Sequence, residues 1–253
     1  MGDPHMRLED CTMTTDTVAM HMSDGIINAP ASAVLGLVAA AGLAYSLVRA
    51  RAGQSADLDN RTAPMAGLVA AFIFAVQMIN FPVLPGVSGH LLGGALAAIL
   101  VGPWLGALCV GIVLVVQALL FADGGLTALG ANITNMALIG TWIGFAVAIA
   151  LRRLATRSRG GLVTVAFVSA LVNTVIASLG FVVEYAIGGA GGSAVGTVAV
   201  AILGVHLLIG IGEGIITALT VGAVTSARPD LVYLLRQSPP RTATVATAER
   251  SAS

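Results

Sequence analysis

Seven apolar runs, at roughly 31–48, 64–80, 88–101, 104–121, 135–151, 161–187 and 196–225, constrain this chain more than any other feature. A helix needs about 20 apolar residues to cross a bilayer, and somewhat fewer when neighbours bury it. The run at 88–101 is the shortest, rich in Gly and Ala, and lies between Ser88 and the Gly102-Pro103 break. Only 9% of the 253 residues are charged and 57% are hydrophobic, against about 25% charged in a soluble domain. The expected fold class is therefore all-α and polytopic, with about seven transmembrane helices in the lipid bilayer of the cell membrane. A soluble enzyme, a nucleic-acid partner and a disordered chain are excluded. With 31 Gly, the helices are expected to pack through small residues.

All twelve basic residues are Arg, and their placement sets the orientation. Arg49, Arg51 and Arg61 follow the first run, Arg152, Arg153, Arg157 and Arg159 follow the fifth, and Arg228, Arg236, Arg241 and Arg250 follow the last. Loops at 81–87, 122–134 and 188–194 carry none. Because cytoplasmic loops hold the excess of Lys and Arg, the N-terminus is expected outside and the C-terminus in the cytoplasm, provided that 88–101 crosses.

Three regions are expected: 1–19, a leader or mispredicted start; 20–225, the membrane domain; and 226–253, a flexible cytoplasmic tail rich in Pro, Thr, Ala and Arg. The first region has no apolar core of the kind that marks a secretory signal. Cys11 and Cys109 offer neither a disulfide framework nor a C-x-x-C site. No G-x-x-x-x-G-K-[ST] phosphate loop occurs, so ATP-driven work falls to another chain. No internal repeat supports a self-contained transporter built from inverted halves.

Polar groups at membrane depth are costly and mark candidate sites. Met20, His21 and Asp24 precede the first run, Gln77, Asn80, Ser88 and His90 surround the second and third, and Asp123, Asn132, Thr134 and Asn135 precede the fifth. His21 and His90 fall at the same expected face although 69 positions apart. They read either as a metal pair or, for His90, as an interfacial residue bonded to Asn80 or a backbone carbonyl. Imidazoles suit Ni, Cu, Zn and Co. His206 and Glu213 share one face of the last run, as a packing pair or a proton relay. Glu184 reads as an interfacial residue beside Tyr185.

The segments MHMSDG at 20–25, QMINFPVLPGVSGHLLGGALAAILVGPW at 77–104, FADGGLTALGANITNMALIG at 121–140 and HLLIGIGEGIITA at 206–218 resemble the CbiM/NikM family. These are the substrate-binding membrane components of energy-coupling-factor cobalt and nickel transporters. The resemblance covers about residues 20–225. It implies a seven-helix, non-enzymatic metal-capture subunit with Co(II) or Ni(II) as transported substrate and no organic cofactor. It also implies a transmembrane coupling subunit, cytoplasmic ATPase subunits and, in some systems, a small two-span auxiliary subunit as partners.

In the family the mature chain begins Met-His, which carries over as the amine of Met20, the backbone nitrogen and ring of His21, and the ring of His90. Amine, amide and imidazole close two chelate rings, and a second imidazole completes a four-nitrogen field that suits Ni(II) and low-spin Co(II) over Mg(II) or Ca(II). Preceded by 19 residues, Met20 has an amide rather than an amine, so a start at Met20, or a cleavage after Ala19, is the expectation that completes the set. Asp24, Gln77, Asn80, Ser88, Asn132 and Asn135 are expected around the ligands, fixing the His tautomers, with loop capping as the other reading of D-G-G and G-A-N. The alternative function is a stand-alone proton-coupled metal transporter using His206 and Glu213.

Overall fold

The computed structural model describes residues 21–52, 56–84 and 87–236, with the backbone alone at 56–61, 80–84, 87 and 88. Helix α1 (Ala29–Ala52) starts where the Asn28 side chain accepts from the Ala31 N–H at 3.0 Å. It ends with Arg49 and Arg51 in its last turn, where cations complement the helix dipole. Helix α2 (Ala56–Gln77) returns, and only Thr62–Gln77 of it is apolar. Strands β1 (Asn80–Leu84) and β2 (Val87–His90) then form an antiparallel ribbon with Asn80 opposite His90.

Helix α3 (Gly94–Val101) follows, buried at every residue. Helices α4 (Pro103–Leu120), α5 (Leu129–Ala150), α6 (Arg159–Gly188) and α7 (Val195–Ala227) complete the bundle. Five helices, α1 and α4 to α7, are long and apolar enough to cross a membrane.

Each of the seven expected runs holds one of these helices, but the third departs from a simple span. Its first residues belong to β2, and the eight residues of α3 rise only about 12 Å, far short of a bilayer core of about 30 Å. This run is divided among ribbon, turn and half-helix, and the half-helix is enclosed by neighbours. A Cβ at Gly94 would lie 2.8 Å from the Gly140 carbonyl carbon, and one at Gly144 would lie 2.8 Å from the Ala95 Cα. The glycines are what let α3 and α5 touch backbone to backbone. The two-stranded ribbon also qualifies the expectation of a purely α-helical chain.

The bundle has two chemically distinct ends. Arg49, Thr62, Gly102, Trp104, Tyr233 and Arg236 line a cleft at one end, with the Arg49 guanidinium 5.5 Å from the Trp104 ring centre. Arg159 reaches Ser226 at that same end. At the other end, the segment before α1 joins the end of α6: the Asn28 N–H donates to the Gly188 carbonyl at 2.7 Å. Residues 228–236, assigned from the sequence to a flexible tail, are instead folded onto the bundle. Val232 and Leu234 are fully buried because a short turn, Pro229–Leu231, directs them inward ahead of the helix Tyr233–Arg236. Residues 1–20 and 237–253 lie outside the described residues.

Candidate metal-capture site

Opposite the Arg-bearing end, three chain segments bring two imidazoles together. His21 precedes α1, and His90 ends β2; their ring centres are 4.3 Å apart, inclined by 49°. Both side chains are buried, at 3% and 5% exposure. Asp123, after α4, lies with an Oδ1 3.0 Å from His21 Nδ1. An ionised carboxylate only accepts, so Nδ1 carries the proton and Nε2 the lone pair. His21 Nε2 is buried with no hydrogen-bond partner among the described residues. His90 Nδ1 donates to the Leu91 carbonyl at 2.9 Å, which leaves its Nε2 as the lone-pair nitrogen in the same way.

These rings face a cavity of about 60 Å³, lined also by Met22, Asn132, Asn135, Met136, Phe181 and His206. An orphaned buried acceptor costs about 1–3 kcal/mol, a penalty that coordination to a cation would remove. Among the described residues, His, Cys, Asp and Glu side chains do not gather in threes into a metal site. An ion held by this pair would draw its remaining donors from elsewhere.

The segment carrying His21 is tied down by its neighbours. Asn132 pairs reciprocally with Met22, its Oδ1 accepting from the Met22 N–H at 3.2 Å and its Nδ2 donating to the Met22 carbonyl at 3.3 Å. That carbonyl also accepts from the Gly125 N–H at 2.9 Å. Asp24 does not reach the imidazoles; its Oδ1 accepts from the Thr127 N–H at 2.7 Å and hydroxyl at 2.5 Å. The Thr127 hydroxyl is the chief cause holding the Asp24 carboxyl below its ordinary 3.8. Gly124, at φ +86°, completes the approach, since a Cβ there would sit 2.7 Å from the His21 Cβ.

The remaining expected residues divide by position. Gln77 donates to the Leu92 carbonyl at 2.8 Å, behind His90 rather than against it. Asn135 lines the cavity and donates to Glu184 Oε2 at 2.7 Å. That bond gives Glu184 an inward partner in addition to its place beside Tyr185. Asn135 lies in the wide π-helical stretch Ile133–Gly140 of α5, and Asn132 immediately precedes it, so the altered winding brings both to the cavity. Asn80 and Ser88 are placed by backbone only, Asn80 opposite His90 in the ribbon; Met20 lies outside the described residues.

His206 and Glu213 do not form a pair. His206 lines the cavity, its Nδ1 donating to the Ile202 carbonyl at 2.8 Å, whereas Glu213 accepts from the Leu92 and Gly93 N–H groups. The seven-residue spacing puts both on one helix face but nearly two turns apart. Sequence reasoning gave Asp123 no defined role against His21 and placed His206 with Glu213 rather than with His90. Only the position of Asp123 in the D-G-G turn, on the face where His21 and His90 were expected, pointed to the first.

Comparison with known proteins gives the same direction. Residues 21–231 match the family model CbiM, described as a cobalt uptake substrate-specific transmembrane region. The chain is 39% identical over 214 residues to a putative fused nickel transport protein NikMN of Archaeoglobus fulgidus, covering 84% of this chain and 68% of that protein. It is 31% identical over 224 residues to the cobalt transport protein CbiM of Sorangium cellulosum, covering 86% and 96% of the two chains. A solved structure described as a truncated transition metal transporter superposes with a TM-score of 0.74 at 26% identity, over 82% of this chain and 99% of that one.

Proposed function

The chain belongs to the CbiM family of cobalt and nickel transport membrane proteins, and from that premise we propose that it captures Co(II) or Ni(II) for an ATP-dependent energy-coupling-factor importer. The observation that carries this reading is the buried His21–His90 pair, with ring centres 4.3 Å apart and an unpartnered His21 Nε2. Two imidazoles supply half of a four-nitrogen field. The amine of Met20 and the backbone nitrogen of His21 supply the rest in a chain that starts at Met20, as the Met-His sequence of the family implies.

Only Nδ1 of an imidazole can close a six-membered chelate ring with its own residue's backbone nitrogen. Full chelation therefore requires the His21 ring to exchange the nitrogen that now faces Asp123. Asp123 accordingly holds the ring before capture and accepts from the opposite nitrogen after it turns. The cavity is small and lined by imidazole and amide groups among apolar side chains, which suits a metal ion rather than an organic substrate. Nitrogen donors select against Mg(II) and Ca(II).

The His-bearing end faces outside and the Arg-bearing end the cytoplasm, by the charge asymmetry of the loops. All seven segments, α3 with its ribbon included, then make the crossings. ATP hydrolysis belongs to cytoplasmic partner subunits joined through a transmembrane coupling subunit, with a two-span auxiliary subunit as a further partner. Exposed apolar residues on α1, among them Val34, Leu37 and Val48, meet lipid or that coupling subunit.

Uptake of radioactive Co(II) into vesicles, with and without the coupling and ATPase chains, tests the assignment. ATP-dependent uptake only with the partner chains supports it. Uptake by this chain alone, driven by a proton gradient, would instead favour the stand-alone transporter.

A further inference from the structure

Behind His90, two consecutive peptide groups are held at all four of their polar atoms. The peptide joining Leu91 to Leu92 donates its N–H to Glu213 Oε2 at 2.8 Å, while its carbonyl accepts from His90 Nδ1 at 2.9 Å. The next, joining Leu92 to Gly93, donates its N–H to Glu213 Oε1 at 3.0 Å, and its carbonyl accepts from Gln77 Nε2 at 2.8 Å. A trans peptide is planar, with N–H and C=O pointing in opposite directions, so fixing one aims the other. Glu213 therefore reaches the His90 ring through a single rigid plane.

The carboxylate is itself fully engaged. Thr174 Oγ1 donates to it at 2.8 Å and Asn173 Nδ2 at 3.3 Å, so α6 and α7 are joined to the turn after β2 at one buried group. Glu213 is 2% exposed. An apolar side chain could fill that volume without the desolvation of a carboxylate, so what the carboxylate supplies is orientation. Gly93, at φ +78°, allows the two N–H groups to converge on it. Asp123 orients His21 by direct contact; Glu213 stands one peptide away from His90.

We infer that Glu213 is a positioning residue for metal capture, which through the Leu91–Leu92 peptide fixes the proton on His90 Nδ1 and presents Nε2 as the ligand. This rests on the reading of His90 as a metal ligand. In that role Glu213 links the long helix α7 to the ion, so any displacement of α7 is transmitted to the His90 ring.

The test is Co(II) titration of the purified protein, as the full chain and as the form beginning at Met20, comparing wild type, Glu213→Gln and His90→Ala. Glu213→Gln places an N–H₂ where an acceptor is needed and turns one of the two peptides. The expected result is an affinity loss of about 10–100-fold, the range found when groups supporting a ligand are removed, together with altered visible bands of the Co(II)-saturated protein. A purely structural role would lower thermal stability and leave the spectrum of the saturated protein unchanged, and that outcome overturns the inference. So does wild-type affinity in Glu213→Gln. If Glu213→Gln does not fold, Glu213→Asp decides: it keeps the charge but withdraws the carboxylate by one methylene from the Leu92 N–H, and unchanged affinity with unchanged visible bands overturns the inference. Absence of His90-dependent binding in both wild-type forms overturns the capture reading and this inference with it.

Discussion

Three carboxylates and two imidazoles decide the residue-scale behaviour. Asp123→Ala removes the acceptor that holds the His21 ring, at Nδ1 before capture and at the opposite nitrogen after it, and the expected loss of metal affinity is about 10–100-fold. Asp123→Asn retains a carbonyl acceptor, so it should lose less; binding isotherms for the two variants check the order. Asp24 acts on the same segment from further away. Its carboxyl is held below 3.8 by Thr127, so its contribution is present above that value and is lost as pH falls through the lowered one. Hydrogen exchange of residues 22–27 should therefore accelerate only under strong acid. Metal binding should weaken earlier, because imidazole and amine donors must be free of protons to coordinate. His21, the S-G-H motif and the G-A-N motif stand out in the sequence, and the structure brings His21, His90 and Asn132 to one cavity. The partner of each side chain was not, since His21 to Asp123 and Glu213 to Leu92 are contacts across more than 100 positions.

At the scale of elements, the long apolar runs mark helices that pattern alone can find. The third run misleads because periodicity cannot distinguish a buried half-helix from a span. Its first residues pair with β1, and its glycines serve close approach rather than helix continuity. The turn at Gly93 is the place to test this. A Cβ there meets Ile73 Cγ1 at 2.8 Å with the backbone at φ +78°, so Gly93→Ala should destabilise the protein by about 1–2 kcal/mol through backbone strain, plus the clash. Thermal unfolding in detergent measures it, and in an Ile73→Ala background, where both clashing γ carbons are gone, Gly93→Ala should cost only the part due to strain. The turn at 228–232 was also hidden, since Val232 and Leu234 are too few to register as a pattern yet are wholly buried.

For the whole molecule, the arginines give polarity and the histidines give purpose, at opposite ends of one bundle. Single cysteines at Arg157 and Ala190, in a background lacking Cys11 and Cys109, should react with a membrane-impermeant thiol reagent only from the cytoplasmic and only from the outer side, respectively. The central claim is that His21 and His90 hold a transported ion. The most direct test is elemental analysis after loading with Co(II) or Ni(II), on the form beginning at Met20 and on the full chain, with His21→Ala and His90→Ala alongside. The account predicts near-stoichiometric metal in the Met20 form, lost in both variants, and less metal in the full chain. Metal retained in both variants, or absent from every form, would contradict it.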